Sequence, residues 1–597
     1  MIKIPPQNKW FQSNRGNIFG SIWSSMGIDL THQKDRGRGK LRLARMLRGA
    51  TSGSLTNLTV PVAFRRYGAA TYAVGGTRLF AQGAAFTSAW SEVASTPTNF
   101  SPRFSDMEVF NGFLYISEGT DDDIARYDGS TWTEIAVGEI GASEPHPLCV
   151  YANRLYVGGV LSGNSIIKSM NTSQTVTAVG GANTVTITDA LANTITFIRP
   201  VSNGIWIGTV NTRGGKGHIY FWDGAQSSGI NNSYRLQSAG ALAGVVKDDV
   251  LYVVDADGRL LAFNGGTFVE IDRLPIRENY LTFAIGEYNE RFIHPNGMTV
   301  ADDRILLLIE NQYYIGALNG TIEENCPSGI WEWSKETGLY HKYGLSNTPL
   351  SGAGGGTLVD YGQNRIVLSG AGALAFIKQE ATPANDNGSL FAGARIYTTA
   401  SASIYGIFID DLNNAVQKFG YIITPWIYSD ELEDMWQKLF IRHKKLLNST
   451  DKIIVKYRVD DESPAEATVT WMDTNTFTST DADFANYVAG DEVEVLQGDG
   501  AGKCAHISSI SEAGGTYTVN LDDTFSGVTT NTAIVRMQKW IKIRETSNQS
   551  FRYTLFGIGT PDTRIQLKIA MQFTDANSNQ NEIDDLILIN NTQVPAK

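Results

Sequence analysis

Residues 111–135, NGFLYISEGTDDDIARYDGSTWTEI, contain short apolar strands separated by polar turns, and this unit decides the fold. Successive side chains of a strand point to opposite faces, so LYIS and IARY offer apolar groups to a neighbour on each side. The Asp128-Gly129 pair supplies the positive φ angles that a tight hairpin turn needs. The stretch therefore predicts an antiparallel sheet of short strands packed between two others.

The same unit recurs along more than half of the chain. Copies begin at Gly76, Asn111, Ala152, Ser202, Lys247, Ala301 and Tyr361. A period of about 45 residues with an aromatic or Asp-Gly signature is typical of four-stranded propeller blades. We expect the turn aromatics Tyr127, Trp222 and Phe263 to pack between blades. The repeats predict a β-propeller of about seven blades over residues 67–380, with six or eight blades also open.

The last third of the chain has a different pattern. Strongly alternating segments such as KIIVKYRVDD and RIQLKIAMQFT suit an antiparallel β-sandwich, and a compact segment between them reads as a small inserted β-barrel. The segment LEDMWQKLFIRHKKLL, residues 432–447, fits either an amphipathic helix or an edge strand. The predicted all-β order is a basic N-terminal arm (1–66), the propeller (67–380), a linker (381–419), the sandwich (420–463 and 538–597) and the inserted barrel (464–537).

Composition excludes several classes of protein. The 597 residues include 60 glycines, 42% apolar residues and only 18% charged residues, so the chain is not disordered, collagen-like or a coiled coil. We expect no secretory signal and no membrane span, because no long apolar run occurs. The three cysteines are Cys149, Cys326 and Cys504, and their wide spacing predicts reduced, buried thiols.

The charge is unevenly distributed. Residues 1–66 hold 12 Lys or Arg and two acids, a net charge of +10, and since the whole chain carries −12 the remainder carries −22. The candidate DNA or subunit interface consists of the seven basic residues Lys34, Arg36, Arg38, Lys40, Arg42, Arg45 and Arg48. Three readings are open: docking onto an acidic neighbouring subunit, non-specific contact with DNA phosphates, or an internally paired or solvated strand.

The sequence contains no complete catalytic, metal-binding or cofactor-binding motif, and we expect a protein that is not an enzyme. GDGAGKC, residues 498–504, lacks the phosphate-loop spacing, and GAGGGTL, residues 352–358, has no following helical pattern. The seven histidines are scattered without metal-ligand spacing. The aspartate-rich turns at Asp121 and Asp255 lack the glycine and glutamate of a calcium loop, which favours solvated turns. A pair of glycosidase carboxylates built from blade loops stays open.

The order of these parts resembles bacteriophage virion proteins. The N-terminal GIDLTHQKDRGRGKLRLARML leads directly into the first blade, and the chain ends with RIQLKIAMQFT and NEIDDLILIN. In this layout the chain is similar to the propeller-bearing tail nozzle, or packaged-DNA-stabilising, proteins of short-tailed phages. The sizeable barrel insert departs from that layout and leaves the position in the tail open.

The resemblance implies a structural role without catalytic residues. It implies a ring of identical subunits, commonly a hexamer, in the virion tail after assembly in the host cytoplasm. Such a ring would contact the tail adaptor and the tail fibre or spike proteins, and would retain or guide DNA during genome ejection. Two alternatives remain: a tail protein that binds a receptor or glycan through the propeller or barrel, and a propeller hydrolase or lyase acting on polysaccharide.

Overall fold

The repeats form separate four-stranded sheets, which are numbered as blades in chain order. The computed structural model describes, apart from short gaps, pieces between residues 2 and 50 and then residues 55–274, 292–310, 328–345, 368–378, 388–396, 404–410, 419–443, 451–497, 504–546, 553–572 and 582–592. Among these residues, none forms a helix long and apolar enough to cross a membrane.

The first six blades are antiparallel sheets of four consecutive strands. Blade 1 has the strands Pro61–Tyr67, Ala70–Gly75, Arg78–Gln82 and Trp90–Glu92. Blade 2 has Met107–Phe110, Phe113–Ser117, Ile124–Tyr127 and Trp132–Ile135. Blade 3 has Leu148–Tyr151, Arg154–Leu161, Asn164–Met170 and Val185–Ile187. Blade 4 has Asn193–Val201, Gly204–Asn211, His218–Trp222 and Asn232–Arg235. Blade 5 has Ala241–Lys247, Val250–Asp255, Arg259–Phe263 and Phe268–Arg273. Blade 6 has Met298–Ala301, Arg304–Ile309, Gly329–Ser334 and Gly338–Leu345.

Blade 7 combines strands from two distant parts of the sequence. Its inner three strands are Leu368–Lys378, Gly388–Ile396 and Ile404–Ile409, and its outer strand is Met46–Gly49. The outer strand pairs antiparallel with Ile404–Ile409 and, at its beginning, parallel with the last strand of blade 6. A strand from the N-terminal segment therefore completes the last blade.

The first strands of the blades form the inner ring. Each contacts the first strand of the next blade, and Leu368–Lys378 of blade 7 contacts Pro61–Tyr67 of blade 1. The ring is thus closed, and the predicted all-β propeller fold is confirmed.

Apolar clusters fill the spaces between neighbouring blades, one for each of the seven pairs in the part of the chain that the structure describes. The turn aromatics lie in them as predicted. Tyr127 packs edge-on against Tyr72 of blade 1 with ring centroids 6.0 Å apart. Trp222 packs edge-on against Tyr156 of blade 3 at 5.7 Å. Phe263 belongs to the cluster between blades 4 and 5. Such burial of large rings holds adjacent blades together.

The predicted linker, residues 381–419, contains two strands of blade 7 and is a correction to the sequence interpretation. Glycines are needed where blade 7 closes against blade 1; Gly393 lies in this segment, and Gly372 lies in the strand before it. A Cβ atom on Gly372 would lie 2.1 Å from the carbonyl oxygen of Pro61, and one on Gly393 would lie 2.6 Å from the same oxygen. The excess of glycine and alanine marks a close backbone approach rather than a flexible connection.

Two six-stranded sheets form the sandwich, and both include strands from the N-terminal segment. One sheet has the strand order Ile28–Asp29, Leu41–Leu43, Glu582–Thr592, Asp434–His443 and Tyr553–Pro561, with Ile2–Ile4 beside Glu582–Thr592. The other has the order Ser24–Met26, Phe419–Ile423, Arg564–Gln572, Lys452–Arg458 and Ile541–Thr546, with Ile427–Tyr428 beside Arg564–Gln572. Most described strands of residues 1–66 therefore belong to the folded domains instead of a separate arm, while Gln33–Lys34 and Arg38–Gly39 pair only with each other. The propeller extends beyond the predicted range 67–380 at both ends.

The segment left open between helix and edge strand is a strand. Asp434–His443 lies in the interior of its sheet, between Glu582–Thr592 and Tyr553–Pro561. Both of its edges are hydrogen-bonded, so strand pairing outweighs the helical periodicity of the segment.

The insert is a closed six-stranded barrel. Its strands lie in the order Ala465–Trp471, Thr476–Ser479, Thr516–Leu521, Cys504–Ala513, Glu492–Gln497 and Thr532–Gln538, and a short 3₁₀ turn spans Ala482–Asn486. Its core includes Trp471 and Phe477, whose rings meet edge to face at 5.4 Å. The barrel is a unit with its own core.

Candidate functional site

The axis of the propeller, where the inner strands meet, carries a network of polar side chains centred on Asn296. This residue lies just before the first strand of blade 6. Its Nδ2 atom donates to Asp106 Oδ1 at 2.9 Å and to the Val62 carbonyl at 3.1 Å. Its Oδ1 atom accepts from Arg199 Nη2 at 3.0 Å. One amide therefore joins blade 6 to blades 1, 2 and 4.

The other N–H groups of Arg199 donate hydrogen bonds to backbone carbonyls. Nε donates to Gly244 at 2.8 Å and Nη1 to Ile198 at 3.0 Å, while Nη2 also lies 3.3 Å from the Pro295 carbonyl. Burial lowers the pKa of Arg199, and the nearby Asp106 opposes this effect. A partly buried guanidinium that is held by carbonyl oxygens stabilises the surrounding backbone.

Asp106 extends the network to further blades. Its Oδ2 atom accepts from the backbone amide of Leu148 in blade 3 at 2.9 Å, and the Asp106 amide donates to Ser117 Oγ at 2.7 Å. On the opposite side, the Asn296 carbonyl accepts from the Leu374 amide of blade 7 at 2.8 Å. With the Arg199 contact to blade 5, the axial network reaches all seven blades.

A cavity of about 450 Å³ adjoins the axial network. Arg65 and Glu108 line it and form an ion pair at 3.0 Å, and Arg66, Phe376 and Lys378 also face it. Burial alone would lower the pKa of Arg65, but Glu108 and Asp106 outweigh it and raise that pKa. The cavity is therefore polar, and its arginine is held in the charged form.

Cys149 lies near Arg199 in the fold and is the described cysteine of this region. Its thiol is buried, and burial raises its pKa. A thiolate is the nucleophilic form of cysteine, so this residue is inert at neutral pH. This placement matches the expected buried thiol.

The barrel meets the sandwich through a second charged cluster. Glu492 of the barrel is fully buried and forms ion pairs with Lys456 and, at 2.9 Å, with Lys568 of the sandwich. Burial alone would raise the pKa of Glu492, but the two lysines outweigh it and hold the pKa well below its usual range. Lys568 also lies over the ring of Trp540, with Nζ 5.7 Å from the ring centroid. The cluster fixes the barrel to the sandwich.

Four of the seven predicted interface residues lie in described strands, which belong to three different sheets. The backbone of Lys34 pairs with that of Arg38 in a short hairpin. The backbone of Arg42 lies opposite Asp29 on one side and Glu582 on the other, and Arg48 lies opposite Ile409. Arg36, Lys40 and Arg45 lie outside the described residues. The four described backbones are paired within the chain, and the three readings of the basic segment all stay predictions.

The glycine-rich segments and aspartate-rich turns that the sequence offered as candidate sites differ in what the structure shows of them. Most of GDGAGKC and all of GAGGGTL lie outside the described residues. Asp255 is buried, accepts from the amides of Asp257 and Arg259 and pairs with the Arg259 guanidinium at 2.7 Å, so it stabilises a turn. Asp121, Asp122 and Asp123 instead gather carboxylate oxygens within 4.8 Å of one another.

Sequence reasoning missed the axial residues. Asp106 and Asn296 precede inner strands at the same end of the ring, but blade alignment alone does not distinguish them from ordinary turn residues. The available signal is Arg199, an arginine within the apolar strand Asn193–Val201. A charge buried in such a strand needs partners, which would have pointed to the axis.

Comparisons with known proteins return structures only. No protein-family model matches the chain, and no curated protein matches its sequence. Among solved structures, the computationally designed protein Ika8 is 11% identical, with 61% of this chain and 100% of that chain covered and a TM-score of 0.34. BBS1N, solved in complex with ARL6DN, is 11% identical over 62% and 99% with a TM-score of 0.37. The Dos1 propeller is 10% identical over 65% and 91% with a TM-score of 0.34.

Proposed function

We propose that this protein is a non-enzymatic structural subunit of a short-tailed phage tail, of the nozzle or tail-ring type. It assembles with copies of itself into a ring that helps to retain or guide DNA. The observation that carries the proposal is the axial network of Asn296, Asp106 and Arg199, in which polar groups are bonded to one another and to the backbone. Groups held in this way stabilise a scaffold and are poorly placed for acid, base or nucleophilic chemistry.

The network also bears on the path of the DNA. Side chains of blades 2, 4 and 6 meet across the propeller axis, with donor–acceptor distances of 2.9 and 3.0 Å. Duplex DNA could not pass through such an axis. A DNA channel therefore has to be formed between subunits, which is what a ring of copies supplies.

The connections between domains suit a load-bearing subunit. The N-terminal segment contributes strands to both sandwich sheets and to blade 7, and Glu492 fixes the barrel to the sandwich through Lys456 and Lys568. Removing one partner of a buried ion pair leaves an uncompensated charge, so such a junction resists separation. These links favour one rigid subunit with three folded parts.

The proposal is tested by the mass of the full-length protein in solution and by its presence in particles. We expect an assembly of several chains in sedimentation and native mass measurements, and the same chain in purified virions. A strict monomer at all concentrations tested that is absent from particles would overturn the proposal.

A receptor- or glycan-binding tail protein is the second candidate. It is favoured by two exposed apolar side chains on the barrel, Met472 at 57% and Val488 at 59% exposure. Exposed apolar side chains of this size are available for contact with a partner. Binding of the full chain to host cells that is lost in Met472→Ser with Val488→Ser, while assembly is unchanged, would support this candidate. Binding that both substitutions leave unchanged would count against it.

A further inference from the structure

Blade 2 carries an acidic turn, residues 118–123, on the face where the inner strands begin. Each of its three aspartates has one oxygen engaged by a backbone amide. Asp121 accepts from Asp122 at 2.6 Å, Asp122 from Glu139 at 3.0 Å, and Asp123 from Val137 at 3.0 Å. Oxygens of the three carboxylates still lie within 4.8 Å of one another. The turn thus holds three negative charges at close range.

A separate observation concerns Glu118, which begins the turn. Its backbone amide donates to the Asp123 carbonyl at 3.2 Å, so the two residues lie side by side at the base of the turn. Glu118 is only 1% exposed, and its buried Oε2 atom has no hydrogen-bond partner among the described residues. The negative charges of Glu134, Asp121 and Asp123 act on the Glu118 carboxylate, and the side chain of Asn99 forms a hydrogen bond with it. A buried carboxylate facing other carboxylates is costly unless a cation compensates it.

Protein cations do not supply that compensation in the part of the chain that the structure describes. No ion pair there involves Glu118, Glu134 or the aspartates 121–123. Lys168, which packs on the neighbouring turn, donates to the carbonyls of Val137 and Gly138 and pairs with Glu139 at 3.3 Å. The carboxylates of the acidic turn therefore lack a basic side-chain partner among described residues.

We propose that the acidic turn of blade 2 binds a divalent cation of the calcium type, with Glu118, Asp121 and Asp123 as ligands. Ca²⁺ takes six to eight oxygen ligands in flexible geometry, and carboxylates from a short turn supply them together with water. The spacing differs from that of a helix-loop-helix calcium loop because the ligands come from a strand end and a blade turn. The proposal is independent of the tail function.

The test uses the full-length protein, freed of metal with a chelator, in calorimetric titration and thermal unfolding. Calcium chloride is added up to about 10 mM, well above the weakest range of protein calcium sites near 10⁻³ M. We expect one site per chain and a rise in Tm with calcium. Asp121→Asn with Asp123→Asn is expected to weaken binding at least about tenfold, because affinity depends on the number of charged ligands.

A matched control removes two charges from a turn of another blade. Asp302 and Asp303 are exposed in the first turn of blade 6, and Asp302 has a φ of 54°, which asparagine tolerates. Asp302→Asn with Asp303→Asn is expected to leave calcium affinity unchanged. If it weakens binding as much as the blade 2 variant, the effect is one of net charge and the proposal is wrong.

Glu118→Gln separates a cation site from a structural role. Without calcium and above pH 7, the variant is expected to have a higher Tm than the wild type, since it removes a buried charge. With calcium, its gain in Tm is expected to be smaller than that of the wild type. Absence of calcium binding by the wild type, or a metal-free Glu118→Gln protein with a lower Tm, would overturn the proposal.

Discussion

Replacement of Asn296 by alanine removes three hydrogen bonds at the propeller axis while it deletes only part of one side chain. Asn296 Nδ2 donates to Asp106 at 2.9 Å and to Val62 at 3.1 Å, and Oδ1 accepts from Arg199 at 3.0 Å. The backbone of residue 296 is unaffected, so its carbonyl can still accept from the Leu374 amide. The substitution therefore tests the side-chain bonds across the axis.

The expected loss follows from the partners that remain. Hydrogen bonds to charged groups contribute about 1.5–3 kcal/mol each and a bond to a backbone carbonyl about 1 kcal/mol. Asp106 keeps the amides of Leu148 and Met107, and Arg199 keeps three carbonyl partners, so the lower end of the range applies. We expect the inner strands to lose about 4 kcal/mol of stability, which corresponds to a protection factor lowered by about three orders of magnitude.

Hydrogen exchange followed by mass spectrometry on the full chain measures this loss locally, in peptides that cover the first strands of blades 1, 2 and 4. Asn232→Ala serves as the control, because Asn232 is exposed in the outer strand of blade 4. The control is expected to stay within about 0.5 kcal/mol of the wild type. A loss of protection in Asn296→Ala below about tenfold, or equal to that of the control, would refute the role assigned to the axial network.

Other predictions concern the junction and the closure of the ring. Glu492→Gln leaves Lys456 and Lys568 buried without their acid, so unfolding should show the variant less stable by about 3 kcal/mol. Because the pKa of Glu492 is depressed in the folded state, its contribution to the free energy of unfolding is present above the ordinary glutamate pKa near 4.3 and should be lost as pH falls below that value. If the wild type and Glu492→Gln lose stability equally on acidification, this prediction is contradicted. Gly372→Ala places a Cβ 2.1 Å from the Pro61 carbonyl, so a lowered Tm is expected, and an unchanged Tm would refute the close approach of blades 7 and 1.

Local sequence patterns were sufficient to predict most blades, because each hairpin has its own strands, turn and aromatic residue. Tyr127 and Trp222 could be assigned to positions between blades since strand alternation and turn placement are both local. The closure of blade 7 was not predictable in this way. Met46–Gly49 pairs with strands far away in sequence, and its basic neighbours favoured an interface instead.

The axial site was less accessible to sequence reasoning than the fold. Asp106, Arg199 and Asn296 lie in different blades, and only ring closure brings them within hydrogen-bond distance. The acidic turn of blade 2 was visible as DDD, but the decisive residue was Glu118, whose burial depends on the surrounding chain. A pattern shows which charges are present, while the fold determines which of them lack a partner.

Imaging of the assembled particle at a resolution that separates chains tests the central claim most directly. The account predicts a closed ring of identical chains, with DNA running between subunits and the axis of each propeller filled by its own Asn296, Asp106 and Arg199 side chains. Single unassociated chains absent from the particle, or DNA along the axis of a propeller, would contradict it.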